Sequence, residues 1–220
     1  MAIGTIDRAA APVDDSAGRE TRAPAPPPVT DEDRLRAELY DLLAALLRGA
    51  PDGTMLDALS HLEGDDDTGI GRAAGALARI AATFDAPRAA REYHDLFIGV
   101  GRGELVPYGS YYLTGFLNEK PLGDLRGAMR ELGLRRAEGG REPEDHAASL
   151  LEMMAGLIDG RFGAPAATGE QAAFFERHLG SWMPYFFRDL EGAGGAVLYA
   201  PVGTIGRTLM EVEAQAFAMA

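Results

Sequence analysis

The 220-residue chain contains no cysteine, which removes disulfides, thiolate nucleophiles, zinc ribbons and Cys-ligated iron–sulfur clusters together. Any iron–sulfur chemistry connected with this protein therefore belongs to a partner, and no cofactor is expected in the chain itself. Histidine is also scarce: the four, His61, His94, His146 and His178, are scattered without a His-Glu-x-x-His pair, so no zinc-hydrolase signature is present. No stretch approaches the roughly 18 consecutive apolar residues of a membrane span, and Met1 to Thr30 lacks the basic and apolar regions of a secretory signal. The expectation is a cytoplasmic protein without membrane insertion. Basic residues are in the minority, 21 against 34 acidic, for a net charge of −13. That balance repels phosphate backbones and anionic lipid, so nucleic acid is not an expected partner, and cationic partners become more plausible.

Alternating β-branched runs are missing too, with Ala196 to Tyr199 the best strand candidate. What is present is helical periodicity in a chain that is 46% hydrophobic, enough for one core. The predicted fold is all-α: a single-domain helical bundle over 30–220 behind a disordered Ala/Pro-rich tail over 1–29, which ends in Ala23-Pro24-Ala25-Pro26-Pro27-Pro28. Thr30 with Asp31, Glu32 and Asp33 opens a predicted helix over 31–48, stopped by Gly49 and Pro51. Further helices are expected over 53–62, 70–84, 87–97, 110–118 and 121–132. Another opens at Pro143 and carries Ala147, Leu150, Leu151, Met154, Leu157 and Ile158 as one apolar stripe. A bent helix or helix pair spans 174–190, broken at Gly180, Ser181 and Pro184, and the last helix covers 203–217. No repeat of 20–50 residues is visible, which argues against a solenoid.

Three clusters stand out as candidate chemistry. Gly99-Val100-Gly101-Arg102-Gly103-Glu104 is glycine-rich, but no strand precedes it, no Lys-Ser/Thr follows, and Glu104 would repel a phosphate. Pro107-Tyr108-Gly109-Ser110-Tyr111-Tyr112 places three tyrosines at a loop-to-helix junction. Such aromatics either close the core or line a groove for an apolar peptide, since tyrosine offers rigid area at low entropy cost. Glu142-Pro143-Glu144-Asp145-His146 gathers three carboxylates and an imidazole at a helix start. Carboxylates there suit the helix dipole without further function, but an imidazolium gains nothing from that position and must be held by its acidic neighbours or left neutral. An acidic cluster of this kind is also a reasonable seat for a guanidinium.

Tyr93-His94-Asp95-Leu96-Phe97-Ile98-Gly99, the 107–112 segment, and Glu142 to His146 followed by Leu150-Leu151-Glu152-Met153 together resemble the TorD/DmsD family of redox-enzyme maturation chaperones. The markers stand in the family's order at about its spacing, most strongly over 90–158. The resemblance implies an all-helical, non-enzymatic chaperone, monomer or homodimer. Its implied partner is the apo form of a molybdopterin oxidoreductase catalytic subunit, of formate dehydrogenase or DMSO/TMAO reductase type, together with that subunit's twin-arginine signal peptide. By position it points to Asp145 and His146, with Pro107, Tyr108, Ser110 and Tyr112 as groove candidates. Glu142, Glu144, Gly109, Phe97 and Gly99 complete the candidate client-binding set. Relatives often carry tryptophan in the loop where this chain has Tyr108. The competing readings are a small helical metal-dependent hydrolase built on His94, Asp95, Asp145 and His146, and a generic helical adaptor.

Overall fold

The computed structural model describes residues 6–8, 28–137 and 142–219. Within these, ten α-helices and one π-helical turn account for nearly all regular structure, as the helical periodicity predicts. Helix α1 (Asp31–Arg48) begins where its cap chemistry requires: Thr30 Oγ1 accepts from Asp33 N at 3.1 Å and an Asp33 carboxylate oxygen accepts from Thr30 N at 3.1 Å. Helices α2 (Gly53–Ser60), α3 (Gly69–Ala81) and α4 (Ala86–Phe97) follow, each opened by a side-chain oxygen, from Asp52, Thr68 and Asp85 respectively. The predicted helix over 70–84 stops at Ala81 because Asp85 starts the next one.

Helix α5 (Gly109–Thr114) is shorter than expected. Gly115 takes φ 82 and ends it, turning Phe116 and Leu117 out to solvent. After α6 (Lys120–Glu131) comes α7 (Ala147–Asp159), the centre of the molecule. Instead of one apolar stripe, every residue of α7 from 147 to 158 is buried, Ser149 and Glu152 included. It packs along α1 on one side, and Arg48 of α1 meets Glu152 at 2.6 Å. Helix α8 (Thr168–Phe175), the π-helical turn Glu176–Gly180 and α9 (Met183–Glu191) realise the expected broken helix, with Trp182 buried at the break.

Two expectations are corrected. Ala196 to Tyr199 is not a strand: Glu92 Oε1 accepts from Val197 N and Tyr199 N, at 2.8 and 2.9 Å, and so fixes the start of α10 (Tyr199–Met219), four residues ahead of the predicted helix. Pro143 does not open α7 either, because Asp145 O and Ala147 N bond to the 107–109 segment instead. Most of the 1–29 segment lies outside the described residues. Ile6–Arg8 are described and form strand β1, antiparallel to β2 (Leu134–Arg136), with Ile6 buried.

Ion pairs tie the bundle's ends. Glu213 of α10 is 1% exposed and accepts from Arg36 Nε and Nη2, both at 2.7 Å, and from Tyr40 Oη at 3.1 Å. A buried carboxylate is tolerable only with such satisfaction.

Candidate functional site

The chain crosses itself where the 107–110 and 143–147 segments meet. Gly109 N donates to Asp145 O at 2.9 Å and Ala147 N donates to Pro107 O at 2.8 Å, so Tyr108 and His146 pair as an isolated antiparallel bridge. This brace engages Asp145 O and Ala147 N with the loop and delays α7 to Ala147. It also reassigns the Asp145 side chain. Tyr108 offers no side-chain cap to α5, and the Asp145 carboxylate takes that role from across the brace, accepting from Ser110 N at 2.8 Å. His146 in turn caps α7, its Nδ1 accepting from Ala148 N at 3.1 Å.

An acceptor Nδ1 must be unprotonated, and the environment agrees. Burial, followed by the positive charge of Arg48, outweighs the pull of Asp145 and lowers the His146 pKa to about 4. Of the two states that the sequence leaves open, the structure selects the neutral one. Glu144 is buried against Arg126, whose Nε and Nη2 donate at 3.0 and 2.8 Å. Burial would lift this carboxyl, but the Arg126 bonds and charge overcome it and hold the pKa below its usual value.

The brace has two faces. On one lies a cavity of about 270 Å³ lined by Tyr93, Phe97, Ile98, Pro107, Tyr108, Glu142 and His146, together with Arg48, Ala148 and Ser149. Tyr108 packs edge-on to His146 with ring centres 4.9 Å apart, and its hydroxyl donates to the exposed Glu142. Burial first, then Glu142, raise the Tyr108 pKa well above the ordinary phenol value. Tyr93 is pushed up to about 12 by burial and by Glu142, and its hydroxyl donates to Leu47 O at 3.1 Å. Both phenols are neutral at physiological pH, which leaves an aromatic pocket with a carboxylate at its mouth.

On the other face a cavity of about 120 Å³ is lined by Gly109, Leu113, Pro121, Asp124, Leu125, Asp145, Leu150, Arg177, His178 and Trp182. Ser110 Oγ, Asp145 Oδ1 and His178 Nε2 are buried here or nearby without a hydrogen-bond partner. Gly109 sits against the indole, since a Cβ there would lie 3.1 Å from Trp182 Nε1.

This arrangement coincides with the region matched by the profile of the nitrate reductase delta subunit family, residues 63–188, more than half of the chain. The chain belongs to this family, the one that includes the TorD-type redox-enzyme maturation chaperones. Family relatives include Chaperone protein TorD of Vibrio cholerae, 33% identical over 104 residues that make up 44% of this chain and 47% of the relative. Chaperone protein TorD of Vibrio atlanticus is 27% identical over 203 residues, 82% of this chain and 93% of that one. The chain thus spans about half the length of the first of these relatives and nearly all of the second. Among solved structures, one described as a redox enzyme maturation protein from Archaeoglobus fulgidus superposes with a TM-score of 0.54 at 20% identity, covering 80% of this chain and 94% of that one. At that identity the likeness shows the fold.

Within the family frame, the candidate residues separate. Phe97, Pro107, Tyr108, Glu142 and His146 meet in the 270 Å³ pocket, whereas Gly109 and Asp145 face the smaller cavity. Ser110 is buried beneath the brace. Tyr112 does not join Tyr108. Its hydroxyl donates to Asp189 at 3.2 Å and its ring packs on Trp182 and Phe186. Gly99 has a conformational duty: at φ 60 it starts the loop's return, and a Cβ there would lie 2.2 Å from Arg102 O. Among the described residues no three histidine, aspartate or glutamate groups converge as a metal seat, so the hydrolase set of His94, Asp95, Asp145 and His146 is not assembled. No described helix is long and apolar enough to cross a membrane. Sequence reasoning missed Arg48, Trp182 and His178 as site neighbours. Arg48 arrives from a helix about a hundred positions away, and nothing local marks it.

Proposed function

We propose that this protein is a cytoplasmic, non-catalytic chaperone that holds the apo catalytic subunit of a molybdopterin oxidoreductase, and its twin-arginine signal peptide, until the cofactor is in place. The observation that carries this reading is the aromatic pocket of Phe97, Tyr108 and His146 with Glu142 at its mouth, built from the segments that carry the family resemblance. An apolar client segment lies against Phe97 and Tyr108 while a client arginine approaches Glu142. Glu144 and Asp145, already engaged by Arg126 and Ser110, keep the pocket in shape.

Burying roughly 400 Å² of apolar surface gives on the order of 10 kcal/mol before ordering costs, against about 0.2–1 kcal/mol for an exposed ion pair. Hydrophobic contact therefore sets affinity, and the carboxylate sets register. Release needs no catalysis, because folding of the client around its cofactor withdraws the bound segment.

The test is affinity capture of the tagged chain from its native cytosol under molybdenum limitation, with mass spectrometry of the co-purifying chains. Recovery of a molybdopterin-enzyme subunit is expected, strongly reduced by Tyr108→Ala and less so by Glu142→Gln. Failure to capture any such subunit from cells that demonstrably make one would refute the reading.

A further inference from the structure

The short ladder at the N-terminus stands outside the site described so far. In the register Ile6↔Arg136, Asp7↔Arg135, Arg8↔Leu134, the period of two puts Ile6, Arg8, Leu134 and Arg136 on one face and Asp7 and Arg135 on the other. The inner face holds the ladder: Ile6 and Leu134 are both buried, and the Arg8 guanidinium lies against the bare backbone of Gly163, where a Cβ would come within 2.3 Å of Nη1. On the outer face Asp7 stands opposite Arg135.

Two strands of three residues are too small to persist alone, and these join segments more than a hundred positions apart, with the loop-closure cost that entails. Beyond the ladder itself, one aliphatic side chain in a socket, one arginine on a glycine and the bond that Arg135 Nε donates to Arg8 O at 3.3 Å hold β1. When so small a contact opens, the edge of β2 presents unpaired N–H and C=O groups, a template for any extended chain.

Arg48 stands between the space beside β1 and the aromatic pocket. A groove of about 500 Å³ has the β1 residues Ile6, Asp7 and Arg8 in its wall, together with Arg48, Glu152 and Phe162, and Arg48 lines both spaces. On α7 the pocket is bounded by Ser149 and the groove by Glu152, which are three residues and about 4.5 Å of helix apart. An extended segment leaving the Tyr108 pocket past Arg48 therefore reaches β1, the strand that pairs with β2.

We propose that the β2 edge and the Ile6 socket form a second docking site, for an extended peptide carrying an aliphatic residue, and that the chain's own Ile6–Arg8 strand closes it in cis. The occupant that displaces the strand is an extended segment of the client. That identity rests on the chaperone reading; the site and its closure do not.

The experiment needs no client. A fluorescent peptide with the sequence of residues 3–10 is titrated, by polarisation, against the full-length chain, the full-length Ile6→Asp variant, and a full-length Asp7→Cys/Arg135→Cys variant. In a chain with no other cysteine, the last forms one defined disulfide across outward-facing partners, whose Cα atoms in such ladders lie about 4.5–5.5 Å apart. Because a tethered strand competes at high effective concentration, the peptide should bind Ile6→Asp at least about tenfold more tightly than the unaltered chain. Oxidation of the cysteine pair should abolish binding and reductant should restore it, and a peptide carrying Ile6→Asp should bind none of the three. Equal binding to the oxidised and reduced double variant would overturn the proposal, as would failure of the opened chain to bind at all. A covalent dimer on oxidation would also overturn it, by placing the strand on a second copy. If Ile6→Asp does not fold, the oxidised and reduced arms decide alone. Failure to capture a molybdoenzyme subunit would count against the chaperone reading and leave this result untouched.

Discussion

Acidification should unlatch α7 through one imidazole. His146 Nδ1 must stay unprotonated to accept from Ala148 N, and the folded protein lowers its pKa to about 4, against about 6.5 in an unfolded chain. Between these values the unfolded state binds the proton more readily, so stability falls as pH falls; above about pH 6.5 both states are neutral and this term is flat. The difference of about 2.5 pKa units corresponds to roughly 3 kcal/mol at full effect, of which about 2 kcal/mol is lost by pH 5. Burial is the main cause and Arg48 the second, and protonation would also place a cation at the positive end of α7. The assay is urea denaturation at pH 7.5, 6 and 5 for the unaltered chain and for His146→Asn, since asparagine caps helices well and does not titrate. The variant should be close to the unaltered chain at pH 7.5 and should lose about 2 kcal/mol less on going to pH 5. His178, also lowered to about 4 by burial and then by Arg177, adds a loss of the same sign that survives in the variant. Equal losses in the two proteins would refute the reasoning.

Asp145→Ala removes the cap on α5 and leaves Ser110 N without its partner, at a cost of about 1.5–3 kcal/mol in denaturant; Asp145→Asn, which keeps an acceptor oxygen, should lose about half of that or less. Glu213→Ala leaves Arg36 with Asp33 and Gln171 alone and takes the partner from Tyr40, and should cost about 1–3 kcal/mol, visible as a drop in melting temperature. Gly206→Ala would gain helix propensity on an open surface, but a Cβ there would lie 2.3 Å from the Phe187 ring. Overpacking should win, with a net loss of about 1–3 kcal/mol by chemical denaturation.

These perturbations separate what is local from what is not. Helix starts were legible wherever a cap and its first turn sit together in sequence, as at Thr30 to Asp33, because the hydrogen bonds that define such an end are made within four residues. The lack of alternating β-branched runs and the run of helical periods likewise pointed to the fold class without a single contact. The family-like segments marked the region of the candidate site, and five of the eleven candidates, Phe97, Pro107, Tyr108, Glu142 and His146, line one pocket.

Roles within that region were not legible. Pro143 with two following acids reads as a helix start by every local rule, yet α7 waits until Ala147 because Gly109 and Pro107 claim the backbone of 145 and 147. The Asp145 carboxylate reads as a seat for a partner's cation, and is turned inward by the unsatisfied N-terminus of α5. Tyr108 and Tyr112, four positions apart, part company because Asp189 and Trp182 draw one of them to α9. Ala196 to Tyr199 has strand-like residues but enters α10 under a carboxylate that belongs to α4. Periodicity and end chemistry depend on neighbours in sequence, and the chain alone determined them. Which side chain is spent on structure and which is left for a partner depends on groups brought from distant helices, and only the tertiary fold could decide it.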